Sequence, residues 1–219
     1  MSLIAGVDEA GRGCVIGPLV IAGVLVRDES LDDLRALGVR DSKALSPRRR
    51  ESLDAEIRAM ALDHRFFFLQ PRTIDTVVNR GVKLRKLNYL ETMAMAKVIR
   101  DLRPDEAYID PADVVIERFV DQILRVLPWR PVIVSEYKAD AKYPVVSAAS
   151  ILAKVMRDGI VAELRGRYGD FGSGYPSDPK TARFLESWFN ENEECPPFVR
   201  CSWSTVRRIR GASSSRSGR

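Results

Sequence analysis

Four acidic side chains fall at the ends of segments that read as β-strands. Asp8 and Glu9 follow the apolar opening Leu3-Ile4-Ala5, Asp110 closes Tyr108-Ile109-Asp110, and Asp140 lies just beyond Val132-Ile133-Val134-Ser135-Glu136-Tyr137. In open α/β sheets, strand ends are where ligand crevices form. Carboxylates gathered there raise one another's pKa, so a cluster persists only beside a compensating cation. No His or Cys accompanies these four, and an all-oxygen donor set suits Mg²⁺ or Mn²⁺ rather than zinc or copper. Two such ions, roughly 4 Å apart, would activate a water and stabilise the leaving oxygen of a phosphodiester. Surface acids are common at strand ends, however, and spacing alone leaves open whether the four meet. Asp105, Asp113 and Glu136 are read as solvated acids. Asp8 resists that reading, because its strand is apolar and an unpaired acid inside a core is costly.

The elements that must carry these groups follow from pattern. Leu3 to Asp8, Pro18 to Arg27 and His64 to Gln70 read as strands, rich in β-branched and aromatic residues. Ser46-Pro47 has the helix-start signature of an N-cap Ser before a Pro at the first helical position, and the helix should reach Leu62. Helices and strands then alternate: helix from Leu84 to Leu102, strand from Glu106 to Asp110, helix from Val114 to Leu127, strand from Pro131 to Tyr137, and a long helix from Pro144 to Tyr168. Asp178-Pro179 opens another helix, to about Asn192. The order predicts an α/β fold, a mixed sheet flanked by helices with a helical C-terminal portion. The expected division is residues 1–168, 169–210 and a basic, disordered tail at 211–219.

Bulk properties narrow the function classes. The 219 residues suffice for one substantial core. The longest apolar run, Cys14 to Val26, is interrupted by Gly17, Pro18 and Gly23 and is too short to span a bilayer. No signal peptide is recognisable, which predicts a cytoplasmic protein without a membrane partner. The net charge is +5, and five arginines with no acid fall in the last thirteen residues, so a polyanion is a candidate partner. The only histidine, His64, sits in a strand-like context, which argues against a zinc cluster or a Ser-His-Asp triad. Cys14, Cys195 and Cys201 lack metal-like spacing, and free thiols are the favoured reading; a Cys195–Cys201 bridge stays compatible with the sequence.

Six stretches, in order, resemble ribonuclease HII, the type 2 ribonucleases H: Asp8 to Gly13 (DEAGRG), Arg40 to Ser46 (RDSKALS), Tyr108 to Asp113 (YIDPAD), Lys138 to Asp140 (KAD), Val145 to Asp158 (VVSAASILAKVMRD) and Gly172 to Thr181 (GSGYPSDPKT). The closing FVRCSWSTVRRI looks like the archaeal branch. The resemblance implies a ribonuclease H-like fold and an endonuclease that hydrolyses the RNA strand of RNA–DNA hybrids and cuts at ribonucleotides embedded in duplex DNA, leaving 3′-hydroxyl and 5′-phosphate ends. It implies Asp8, Glu9, Asp110 and Asp140 as catalytic, metal-binding carboxylates. Gly11, Arg12 and Gly13 become the ribose-sensing set, Tyr175 the residue at the RNA–DNA junction, and Lys43 and Lys154 phosphate contacts. Cys14 stands where the family frequently has proline, and Pro111 where it frequently has alanine. A monomer is expected, with a sliding clamp as a candidate partner at the tail. The competing readings are another ribonuclease H-like nuclease of the resolvase or transposase type, a non-catalytic hybrid-binding module, and a paired-carboxylate glycosidase.

Overall fold

The structure, a computed structural model, describes residues 1–39, 45–80 and 86–217. Its elements in chain order are β1 (Leu3–Ala10), β2 (Leu19–Arg27), a 3₁₀ turn (Asp28–Ser30), α1 (Leu31–Ala36), α2 (Pro47–Met60), β3 (Asp63–Leu69), α3 (Pro71–Asn79), α4 (Lys86–Leu102), β4 (Glu106–Ile109), α5 (Ile116–Val126), β5 (Val132–Ser135), α6 (Ala139–Lys142), α7 (Pro144–Tyr168), α8 (Pro179–Glu191) and α9 (Ser204–Ser217). The strands form one sheet in the order β3-β2-β1-β4-β5, with β1 antiparallel to β2 and parallel to β4, and β4 parallel to β5. The mixed sheet flanked by helices is the fold expected from the sequence.

Two compact units make up the chain, each assembled from separated segments. The first comprises Met1–Ala10, Val20–Phe68 and Asn88–Met156; the second comprises Gly11–Leu19, Leu69–Leu87 and Arg157–Arg219.

In the first unit, β1 is central and apolar because helices cover both of its faces. Two glycines admit them. A Cβ on Gly6 would overlap the backbone of Val145 in α7, and one on Gly23, which pairs with Val7, would overlap Val98 and Leu102 in α4. Gly6 and Val7 alternate across the pleat, so α7 lies on one face and α4 on the other. The core on the α7 side includes Ile4, Val24, Val26, Val145, Ala149 and Leu152.

The second unit packs Val15, Ile16, Val161, Phe171, Leu185, Phe189 and Phe198 around a ring cluster in which Tyr168 and Phe198 are 4.1 Å apart. The 11–19 segment is built in by an antiparallel bridge between Ile16 and Val199 and by the Arg200 N–H donating to Val15 O (2.8 Å). Cys195 and Cys201 are joined by a disulfide, which corrects the free-thiol reading for this pair; Cys14 is free and buried. The six-residue separation closes over Pro196-Pro197, and Asp75 fixes the far end by accepting from the Cys201 and Ser202 N–H groups (2.8 and 2.9 Å). The backbone of α9 is helical through Ser217, into the segment whose serines, glycine and charge predicted disorder. Arg207 and Arg210 anchor this helix through Asn79 Oδ1 (2.7 Å) and Glu193 O (2.9 Å). Among the described residues no helix is long and apolar enough to cross a membrane.

Candidate active site

Strand register bears on two of the implied carboxylates, Asp8 within β1 and Asp110 just after β4. Val7 of β1 pairs with Ile109 of β4, so the next residues, Asp8 and Asp110, lie at one level. Neighbours in a parallel pair share a face, and Gly6↔Tyr108 shows which: Gly6, Asp8 and Tyr108 lie on the α7 side, and Asp110 follows the last residue of β4. Ile109 in turn pairs with Ser135 of β5. Beyond Ser135 the chain turns through Lys138, held in the left-handed region at φ 58°, into α6, which carries Asp140. This turn is stitched by Glu136, which accepts from the Tyr143 hydroxyl (2.7 Å) and pairs with Lys142, while the Tyr143 ring packs 4.7 Å from that of Tyr108. The loop after Asp110 is held as firmly. Arg118 grips both oxygens of Asp113 (2.5 and 2.6 Å), and Tyr137 donates to Val114 O (2.8 Å). Asp113 is 6% exposed, so its reading as a solvated acid is corrected; Arg118 holds its carboxyl below the usual range.

Asp8 and Asp140 are both buried, at 7% and 6% exposure. Burial pushes the Asp8 carboxyl up, and the neighbouring Asp140 charge adds to that. Ser150, the Lys154 ammonium and the Glu9 N–H (2.8 Å from Asp8 Oδ1) act the other way. Ser150 and Lys154 are one turn apart on α7, and the Lys154 Nζ donates to Ser150 Oγ (3.0 Å). Lys154, implied as a phosphate contact, therefore lies near Asp8. Glu9 is different: β1 stays paired through Ala10↔Val20, so the pleat carries its Cβ to the α4 face, opposite Asp8. Among the described residues, no three of the four carboxylates have oxygens all within 4.8 Å of one another; the one donor trio that close is Asp75, Cys195 and Cys201. Lys43 lies outside the described residues.

The residues implied as substrate-sensing, Gly11, Arg12, Gly13 and Tyr175, all belong to the second unit. Gly11 sits at φ +88°, where a side chain would be strained, and a Cβ there would stand 2.9 Å from Pro18 O. A Cβ on Gly13 would lie 3.9 Å from Tyr175 Cε1, so the glycine loop and the tyrosine are neighbours. The turn carrying Tyr175 is anchored because Gly174 O accepts from the Val15 and Ile16 N–H groups (2.8 and 3.2 Å) and the Gly174 N–H donates to Thr181 Oγ1 (3.1 Å). The ring lies over the Arg157 guanidinium (5.0 Å), and the hydroxyl hydrogen-bonds the Cys14 sulfur. Burial, reinforced by Cys14, pushes the Tyr175 hydroxyl up to about 12, which keeps it neutral. Arg157 also donates to Cys14 Sγ (3.0 Å) and Ser173 O (2.6 Å). Arg157 and Arg200 were not singled out from the sequence. The available signal was a charged residue inside an apolar context, Val155-Met156-Arg157 and Phe198-Val199-Arg200.

Comparisons with known proteins give the family and the fold. Residues 5–206 match the family described as Ribonuclease HII. The ribonuclease HII of Pyrococcus furiosus is 48% identical over 206 residues, covering 94% of this chain and 90% of that protein. The crystal structure of ribonuclease H2 from Pyrococcus horikoshii superposes with a TM-score of 0.89 at 42% identity, covering 97% and 99% of the two chains. The RNase HII from Archaeoglobus fulgidus, solved as a complex with PCNA, does so with a TM-score of 0.84 at 42% identity, covering 94% and 96%. With register, loop and tyrosine arranged as described, and with a family match over nearly its whole length, the chain belongs to the ribonuclease HII family.

Proposed function

We propose that this chain is a two-metal endoribonuclease that hydrolyses the RNA strand of RNA–DNA hybrids and also cuts at ribonucleotides embedded in duplex DNA, leaving 3′-hydroxyl and 5′-phosphate ends. Membership of the family makes it an endoribonuclease of RNA–DNA hybrids and metal-dependent. It also removes the resolvase, glycosidase and pure binding-module readings. The observation that supports the two-metal reading best is the pairing of Val7 with Ile109, the residues just before Asp8 and Asp110, together with the effect of buried Asp140 on Asp8. Carboxylates at the strand ends, with Lys154 as a cation near Asp8 and no imidazole, fit a hard divalent ion.

Asp8, Glu9, Asp110 and Asp140 are the proposed ligands of Mg²⁺ or Mn²⁺. Such ions, when bound, supply an activated water and charge at the leaving oxygen. Glu9 starts on the far face, but β4 ends opposite Val7, which leaves its side chain room to reach round the strand end. Ser150 and Lys154 orient the Asp8 carboxyl and partly offset the effect of its burial, which a bound cation would complete. The Gly11-Arg12-Gly13 backbone reads the 2′-hydroxyl, which is both donor and acceptor, and the close approach needs the missing Cβ atoms. The Tyr175 ring packs on the deoxyribose that follows a ribonucleotide, where a 2′-hydroxyl would clash. Lys43 and Lys154 are proposed phosphate contacts. The enzyme is proposed to act as a cytoplasmic monomer, and the Archaeoglobus fulgidus complex suggests a sliding clamp as its partner.

The test is cleavage of labelled hybrid, DNA duplex, RNA duplex and single-ribonucleotide duplex with Mg²⁺ or Mn²⁺. Cleavage of the ribose-containing DNA hybrids alone is expected, with loss in chelator and in Asp8→Asn of unchanged melting behaviour. Full turnover in chelator, or by Asp8→Asn, would refute the metal mechanism.

A further inference from the structure

Arg200 has no exposed surface, yet all three nitrogens of its guanidinium serve one loop. Nε donates to Gly17 O (3.1 Å), Nη1 to Arg12 O (2.9 Å) and Nη2 to Gly11 O (2.7 Å), and the guanidinium lies over the Trp203 ring (5.2 Å). Its own backbone is fixed, since the Arg200 N–H donates to Val15 O (2.8 Å) and the preceding Val199 bridges to Ile16. The fork is thus held before any ligand arrives.

The direction of these bonds matters. In a trans peptide the C=O and the following N–H point opposite ways. Drawing the Gly11 and Arg12 carbonyls onto the buried guanidinium therefore turns the Arg12 and Gly13 N–H groups away from it. Arg12 and Gly13 are exposed, and Gly13 neighbours the Tyr175 ring. Packing alone does not explain an arginine here, because burying a charge costs free energy that an apolar residue of similar size avoids. A planar fork of five fixed donors is what three converging carbonyls require.

We infer that Arg200 is a positioning residue for ribose recognition: it sets the peptide planes of the Gly11-Arg12-Gly13 loop so that the loop's N–H groups face an incoming 2′-hydroxyl. This rests on the proposed reading of the loop as the ribose sensor. A structural role alone would lower stability and the affinity for every duplex together. A positioning role lowers only the preference for ribose.

The experiment measures dissociation constants in the cleavage-deficient Asp8→Asn background, for an all-DNA duplex and for the same duplex with one ribonucleotide. The Asp8→Asn parent is expected to prefer the ribonucleotide duplex. Adding Arg200→Lys, which keeps the charge but loses the fork, should cut that preference about tenfold, the scale of losing charged hydrogen bonds, while all-DNA affinity stays within about twofold. Trp203→Leu, which removes the ring beneath the guanidinium but leaves its donors, should give a smaller loss in the same direction and serves if Arg200→Lys does not fold. Faster amide exchange confined to residues 11–14 should accompany the loss. A folded Arg200→Lys protein that keeps the parent's preference would overturn the inference, as would a parallel loss on both duplexes. A parent without any preference would instead overturn the ribose-sensing reading beneath it.

Discussion

Gly6 is where β1 and α7 meet, and Gly6→Ala tests whether their spacing sets up the carboxylates. The added Cβ would stand 2.6 Å from Val146 N and closer still to the Val145 carbonyl. Ordinary contact begins near 3.4 Å, so the first turn of α7 must withdraw by about 0.8 Å from Val146 alone, and by more at Val145. The obstacle is backbone, so no neighbouring side chain can be trimmed to make room. Overpacking of this kind costs ~1–3 kcal/mol or more. The same withdrawal draws Ser150 and Lys154, further along α7, away from Asp8. A displacement of about 1 Å at groups that orient a reacting site is worth about 100-fold in rate. Single-turnover cleavage of an RNA–DNA hybrid at saturating substrate should therefore fall about 100-fold in Gly6→Ala, with a lowered urea midpoint. Gly23→Ala is the control. Its Cβ meets the side chains of Val98 and Leu102, the latter at 2.7 Å, so Val98→Ala should restore much of its stability. A Gly6→Ala protein with wild-type midpoint and rate would refute the helix-spacing argument.

Three further outcomes are expected. Tyr175→Ala removes a ring worth ~1–3 kcal/mol on a sugar or base face, so cleavage at a single embedded ribonucleotide should fall roughly 10–100-fold while melting and metal dependence hold; equal rates on that substrate and on uniform hybrid, both as in wild type, would leave Tyr175 a packing residue. Deleting residues 211–219 removes Arg216 and Arg219 and should reduce the slope of log affinity against log salt by about 2, sparing the single-turnover rate. Arg118→Ala leaves Asp113 buried without its main partner and should cost ~1–3 kcal/mol at neutral pH. Because Arg118 depresses the folded-state pKa of Asp113, that stabilisation is present above about pH 4, the unfolded value, and is lost as pH falls through the folded one. Urea midpoints of the two proteins should converge as the pH falls below about 4, and a gap that widens on acidification would reverse the assignment.

Period and punctuation made much of this fold legible. The apolar runs gave all five strands, Ser46-Pro47 and Asp178-Pro179 gave two helix starts, and Ser46 and Asp178 do accept the Arg49 and Lys180 N–H groups (3.3 and 2.9 Å). The single turns α1 and α6 carry too few residues to show a period, and α3 was missed although Pro71 marks its start. The carboxylates were legible as strand-end acids, but the relation of Asp8 to Asp110 in space was not. It depends on β1 lying beside β4, a pairing across about a hundred residues that no local pattern encodes. Asp113 was misread because its partner, Arg118, lies on the helix that follows. Arg157 and Arg200 went unnoticed because a buried arginine is uncommon and its carbonyl partners leave no mark in the sequence.

The segmented make-up of the second unit has a consequence for biosynthesis. The carboxylates are complete once Asp140 has left the ribosome, but Gly11 waits for Arg200, 189 residues downstream. At ordinary elongation speeds that interval is roughly 10–40 s. Throughout it the Gly11–Leu19 segment is a tethered stretch whose bridge to Val199 does not yet exist. A nascent chain thus acquires the groups proposed to cut before the loop proposed to recognise ribose is fastened in place. Ribosomal stalling upstream of Val199 would leave a polypeptide with the proposed metal ligands and with the proposed ribose-sensing loop unfastened, a species for quality control to remove.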